Sequence, residues 1–214
     1  MGEGTKMKKV FLYVVVGAVL GILAVAPAFA GPVQVNDFVT INWASPYSGN
    51  GSGGAFAVSM TGGAFLFNTF CLETNEYISI GGSYRVSDIS YNSINGGVGG
   101  GLNDPISIQT QYLFNRYANG GFAGDGHTQA ELQNAIWSFE EEIGAYAPGQ
   151  NYYYDLANAN ATNIDYGVRV MNLMNGTTQA QSMLVKVPEP GTLILLGSGL
   201  LGLAFARGRK KFRK

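Results

Sequence analysis

Thr128-Gln129-Ala130-Glu131, followed by Leu132-Gln133-Asn134-Ala135-Ile136-Trp137-Ser138-Phe139, is where the chain changes period. A Thr with a Glu three residues on, ahead of an apolar run, is a capping box. The Thr side chain accepts from the N3 amide and the Glu reaches back to the cap. Leu132, Ala135, Ile136, Phe139 and Ile143 then mark the buried face of a helix. Glu140-Glu141-Glu142 fall late in it, where carboxylates oppose the helix dipole. Consecutive residues do not share one helix face, so a solvated helix end is expected there rather than an acid–base pair. Upstream, Ile106, Gln109, Leu113, Phe114 and Tyr117 repeat at helical spacing, and Asn119-Gly120-Gly121 stops them. Downstream, Asn151 to Asn160 is a short helix candidate.

On both sides of this segment the pattern is β. Val33 to Asn42 nearly alternates. Ser45 to Gly54 is a Gly- and Ser-rich loop. Ala55 to Met60 and Ala64 to Leu72 form a hairpin about Thr61-Gly62-Gly63. Tyr77 to Ser90 continues as strand across Gly81-Gly82, and Gly96 to Gly101 is a glycine segment with no Lys to make a phosphate loop. Val168 to Met174 and Gln181 to Val187 close the pattern around Asn175-Gly176. Strands, helices, then strands indicate α+β: a β-rich sandwich or barrel with a helical segment inserted at about residues 105–160. An N-terminal signal helix and a C-terminal transmembrane helix are expected at the ends.

The ends carry the targeting signals. Lys6, Lys8 and Lys9 precede the apolar Val10 to Val25, and Ala28-Phe29-Ala30 is a small-x-small cleavage site, so residues 1–30 read as a signal peptide. Met7 can serve as the start equally well. At the other end, Val187-Pro188-Glu189-Pro190-Gly191 precedes an apolar run over 192–206 and a basic tail over 207–214. That run is shorter than the roughly twenty residues that span a bilayer comfortably, and the basic tail fixes its end in the cytoplasm. A processing signal or a single tail anchor both fit. Between the ends, four basic residues (Arg85, Arg116, Arg169, Lys186) face twelve acidic ones, a net of −8 hidden within a whole-chain value of −1. Such a surface repels phosphate backbones, which argues against a nucleic-acid partner.

The C-terminal residues resemble the PEP-CTERM sorting signal of Gram-negative bacteria: the Pro188-Glu189-Pro190 motif, the Leu-Leu-Gly-Ser-Gly-Leu-Leu-Gly-Leu run and the Arg-rich end agree in order. The resemblance covers 188–214. It implies export across the inner membrane, transient anchoring by the C-terminal helix, processing by an exosortase near the motif, and a place on the cell surface or in the extracellular matrix of a biofilm.

Export leads to an oxidising compartment, where cysteines normally pair, yet this chain has one, Cys71. An intermolecular disulfide and a buried inert thiol are both open. Phe70-Cys71-Leu72-Glu73 and Leu132-Gln133-Asn134-Ala135-Ile136, with Trp137 following, resemble the two motifs of the thioester domains of bacterial surface adhesins. The resemblance spans much of 33–187 and makes 31–187 a thioester-type adhesin domain. It implies an internal thioester between Cys71 Sγ and the Gln133 side-chain carbonyl, formed with loss of ammonia. Phe70 and Trp137 are expected to shield the bond. His127, the sole histidine, is either a proton shuttle for the leaving ammonia or an ordinary loop residue.

No multi-His or multi-Cys metal spacing and no Gly-x-Ser-x-Gly elbow is present, so neither an enzyme nor a metal or other cofactor is expected. The expected function is covalent attachment of an exported adhesion protein to amines or hydroxyls on a surface protein or polysaccharide. The alternative is a non-covalent structural or carbohydrate-binding matrix module with Cys71 buried and free.

Overall fold

Two hairpins, one at each end of the domain, build the sheet. Phe56–Met60 (β2) and Phe65–Thr69 (β3) pair across Thr61-Gly62-Gly63, and Val168–Asn175 (β7) and Thr178–Lys186 (β8) pair across Gly176, whose φ of +61° suits glycine. Phe38–Trp43 (β1) and Gly82–Ser90 (β4) join them into one six-stranded antiparallel sheet of order β3-β2-β1-β4-β7-β8. A small ladder, Asn92–Ser93 (β5) with Asp104–Pro105 (β6), leads into the helices Ile108–Ala118 (α1), Gln129–Phe139 (α2) and Tyr152–Asn160 (α3). All three helices lie between β4 and β7, within the segment expected to be helical, so the domain is α+β with an antiparallel sheet.

The computed structural model describes residues 32–46, 53–187 and 199. Ala30–Pro188 forms one unit by its contacts; the other, Met1–Phe29 with Glu189–Lys214, lies outside the described residues apart from the helical Gly199. The expected signal peptide, transmembrane run and basic tail, and Pro188, Glu189 and Pro190, are therefore not among the described residues. Among those that are, no helix is long and apolar enough to cross a membrane.

The outer strands of the sheet approach each other just past β3. Cys71 bridges Met183 of β8, Leu72 N donates to Ser182 O at 2.9 Å, and Leu184 N donates to Phe70 O at 3.2 Å. Period-two alternation then sorts this stretch between two cores. Phe70 and Leu72 enter the cluster beneath the helices, with Leu113, Phe114, Leu132 and Ile136. Cys71 enters the other, with Val39, Ile41, Val86, Met171 and Met183.

Local expectations fail in instructive places. Tyr77 to Gly81 is not strand; β4 begins at Gly82. Thr128 caps α2 as expected, accepting from Glu131 N at 3.1 Å. Glu131 does not complete the box: its carboxylate takes His127 Nδ1 at 3.0 Å and Tyr152 N at 3.1 Å instead. Helix α2 stops at Phe139, because Glu141 takes a left-handed φ of +61°. The glutamate run is accordingly no solvated helix end. Glu140 and Glu142 are buried, and only Glu141 is exposed. Glu140 accepts from Ser107 N and Oγ, bracing the N-cap of α1. Glu142 accepts from Thr74 N and Oγ and from Val98 N, tying the chain after Cys71 to the glycine segment. Buried carboxylates need such donors, and tertiary pairing supplied them where helix position alone argued for solvent.

Candidate functional site

Cys71 and Gln133 meet. Gln133 lies in the second turn of α2 on its inward face and is wholly buried; Cys71 is buried at the point where the chain leaves β3. The Gln133 amide closes a ring of two hydrogen bonds on the cysteine backbone: Cys71 N donates to Oε1 at 3.1 Å, and Nε2 donates to Cys71 O at 2.8 Å. A buried side-chain amide satisfied at both ends by one residue is held in a single orientation. Glycine is required above it. A Cβ on Gly53 would sit 2.6 Å from Gln133 Cγ and 2.7 Å from Trp137 Cη2, and Gly53 itself has φ of +76°.

The thiol borders a cavity of about 220 Å³ lined by Cys71, Glu73, Glu76, Trp43, Trp137 and Gln181, among others. Burial pushes the Cys71 thiol well above its ordinary range; a hydrogen bond with Gln181 opposes this, and the charge of Glu76 adds to it. The thiol is thus protonated and inert unless a base takes its proton. Burial also raises Glu76, against hydrogen bonds from Asn95 and Ser182. Glu73 is pushed up to about 8, first by burial and then by the neighbouring Glu142 and Glu76. Gln181 fixes this segment from β8: its Nε2 donates to Glu73 O and Glu76 O at 2.7 and 2.8 Å, and its Oε1 accepts from Glu73 N at 3.2 Å.

The other residues expected around the thioester divide. Trp137 lines the cavity with Cys71. Phe70 points to the opposite core, edge-on to Phe114 and Tyr117 at centroid distances of 6.5 and 4.8 Å. His127 stacks on Tyr152 at 3.9 Å, pairs with Glu131, and lines a different cavity. Three residues close to Cys71 and Gln133 escape sequence reading. Gln181 and Gly53 have no local signature, and Glu76 is marked only by lying five residues after the cysteine. No group of three or more His, Cys, Asp or Glu able to hold a metal ion occurs among the described residues.

Comparison with protein families finds the PEP-CTERM protein-sorting motif at residues 186–210. The motif implies an exported protein with membrane-associated sorting to the cell surface, and an exosortase as its processing partner. No curated protein and no solved structure matches the chain significantly.

Proposed function

We propose that the exported domain carries an internal thioester between Cys71 and Gln133 and uses it to attach covalently to an amine or hydroxyl on a partner surface protein or polysaccharide. The observation that carries this reading is the mutual hydrogen bonding of the Gln133 amide with the Cys71 backbone. The amide carbon is one bond from Oε1, which touches Cys71 N, and Sγ is three bonds from that nitrogen. Rotation about the cysteine Cα–Cβ bond is the motion proposed to bring sulfur toward carbon, with the amide fixed against the cysteine backbone.

In the forming step, sulfur attacks the Gln133 amide carbon, the C–N bond breaks, and the nitrogen leaves as ammonia carrying the thiol proton. Glu76, whose charge the thiol feels, is the group proposed to relay that proton, a task sequence reasoning offered to His127. In the attaching step, an incoming amine or hydroxyl takes the acyl group and the Cys71 thiol is released. Trp137 and the narrow cavity restrict water at the bond. No turnover follows, so the domain acts once as an adhesin of a biofilm matrix and not as an enzyme. In the alternative, a non-covalent matrix module, Cys71 remains an inert buried thiol.

Intact mass measurement separates the two. The thioester form weighs one ammonia less than its sequence, and methylamine adds to Gln133. Full sequence mass in freshly exported protein, with no methylamine uptake, overturns the covalent reading.

A further inference from the structure

A second and larger cavity, about 650 Å³, opens between β3 and the helical layer. That volume falls in the range of about 300–1,000 Å³ typical of small-ligand sites. Its walls are aromatic. Phe65 is 59 % exposed on β3, with Phe67 beside it, and Tyr117, Phe122 and Tyr153 face in from the helices and their loop. Phe122 and Tyr153 support each other at a centroid distance of 4.7 Å, and the Arg116 guanidinium lies 5.5 Å over the Phe122 ring.

Polar groups run across the same cavity. Gln129 Nε2 reaches Tyr117 Oη at 3.5 Å, and Asn68 hydrogen-bonds that phenol from the strand side. Gln129 Oε1 is buried yet has no partner among the described residues. Asn68, Tyr117 and Gln129 thus set amides and a phenol along the aromatic walls, where hydroxyls of an occupant can pair with them. Among the described residues, no carboxylate lines the cavity. Nearby Asp125 and Glu131 are engaged by Tyr153 Oη and by His127.

We propose that this groove binds a neutral saccharide. Flat rings match the C–H faces of pyranose units, and an amide–phenol–amide row matches their hydroxyls. A purely apolar ligand would cover the Asn68, Tyr117 and Gln129 polar groups without pairing with them. An anionic glycan would meet a domain of net charge −8 with Arg116 as the cation beside the groove. The proposal goes beyond the thioester reading and does not rest on it. The groove would hold a polysaccharide reversibly, whatever happens at Cys71.

The test is isothermal titration of the full-length chain, in a detergent without sugar headgroups, against cellotetraose, maltotetraose and chitotetraose. Oligogalacturonate and an extended apolar peptide serve as controls. At least one neutral tetrasaccharide is expected to bind, and Phe65→Ala to weaken it about tenfold. Tyr117→Phe, which keeps the ring and removes the hydroxyl, is expected to weaken it about fivefold. Phe65 is exposed, so its truncation spares the core. Absence of neutral-sugar binding, tighter binding of oligogalacturonate or the peptide, or affinity indifferent to both substitutions overturns the proposal. Intact mass reports the thioester separately, so either reading can fail alone.

Discussion

Gln133 and Gln181 approach one short segment from opposite sides, and they differ in what they hold. Gln133, from α2, places both ends of its amide on a single residue, Cys71. Gln181, from β8, spreads its amide over Glu73 and Glu76. Both are buried and multiply bonded. The first arrangement lays an amide along the backbone of the cysteine; the second staples a turn and also reaches the Cys71 thiol. On the proposed reading, identical side chains serve chemistry in one place and chiefly architecture in the other, and the distinction lies in which backbone each one reads.

Substitution separates the two roles. Gln133→Ala leaves the buried N–H and C=O of Cys71 without partners and opens a cavity, so about 3–5 kcal/mol of stability is expected to go. Urea unfolding measures it, and the ammonia deficit should vanish as well. Gln181→Ala removes three bonds to the backbone of this segment and the hydrogen bond with the Cys71 thiol, for an expected loss of about 2–4 kcal/mol. It should nevertheless leave the deficit in place. If both variants abolish it, Gln181 is part of the reacting machinery and the contrast fails.

Gly53→Ala sharpens the comparison from above. The new Cβ would press on Gln133 Cγ and Trp137 in a backbone conformation that alanine resists. An expected cost of about 1–3 kcal/mol follows from such overpacking. Because Gln181 does not touch Gly53 in this way, the damage should appear as slower or incomplete ammonia loss as well as lower stability.

The uneven legibility of this site has a physical cause. Cys71 is legible because a lone cysteine in an exported chain stands out, and Gln133 only through the motif that resembles thioester domains, since the helical period marks Leu132, Ala135 and Ile136 as inward and passes over it. Gln181 sits in the polar first half of β8, Thr178-Gln179-Ala180-Gln181-Ser182, where burial comes from pairing with distant residues. Glu140 and Glu142 were misread because a helix-end position says nothing of the Ser107 and Thr74 donors that arrive from elsewhere in the chain. The sheet order depends on pairings as distant as Arg85 with Met174, and the approach of the chain after β3 to β8 on contacts more than a hundred residues apart, beyond any local period.

Two buried carboxylates, Glu73 beside Gln181 and Glu140 at the N-cap of α1, make the fold sensitive to pH. Glu73 is raised to about 8 and Glu140 to about 7, each chiefly by burial, from an ordinary value of 4.5. The folded chain therefore keeps protons that the unfolded chain releases between about pH 4.5 and 8. Stability is highest below that window, falls as pH rises through it, and levels off above. The urea midpoint at pH 8.5 is expected below that at pH 5.5, and Glu73→Gln should flatten part of the difference. A midpoint that rises with pH would contradict the buried setting of both groups.

The smallest effect is expected at His127. Its ring stacks on Tyr152 and pairs with Glu131 at the surface, and surface pairs of this kind contribute about 0.5 kcal/mol. His127→Gln should therefore scarcely change stability and should leave both the extent and the rate of ammonia loss as they are. If the substitution slows that loss while the fold holds, the proton leaves by way of the histidine after all. The Cys71 cavity would then have to communicate with the aromatic groove, and Glu76 would lose its proposed role.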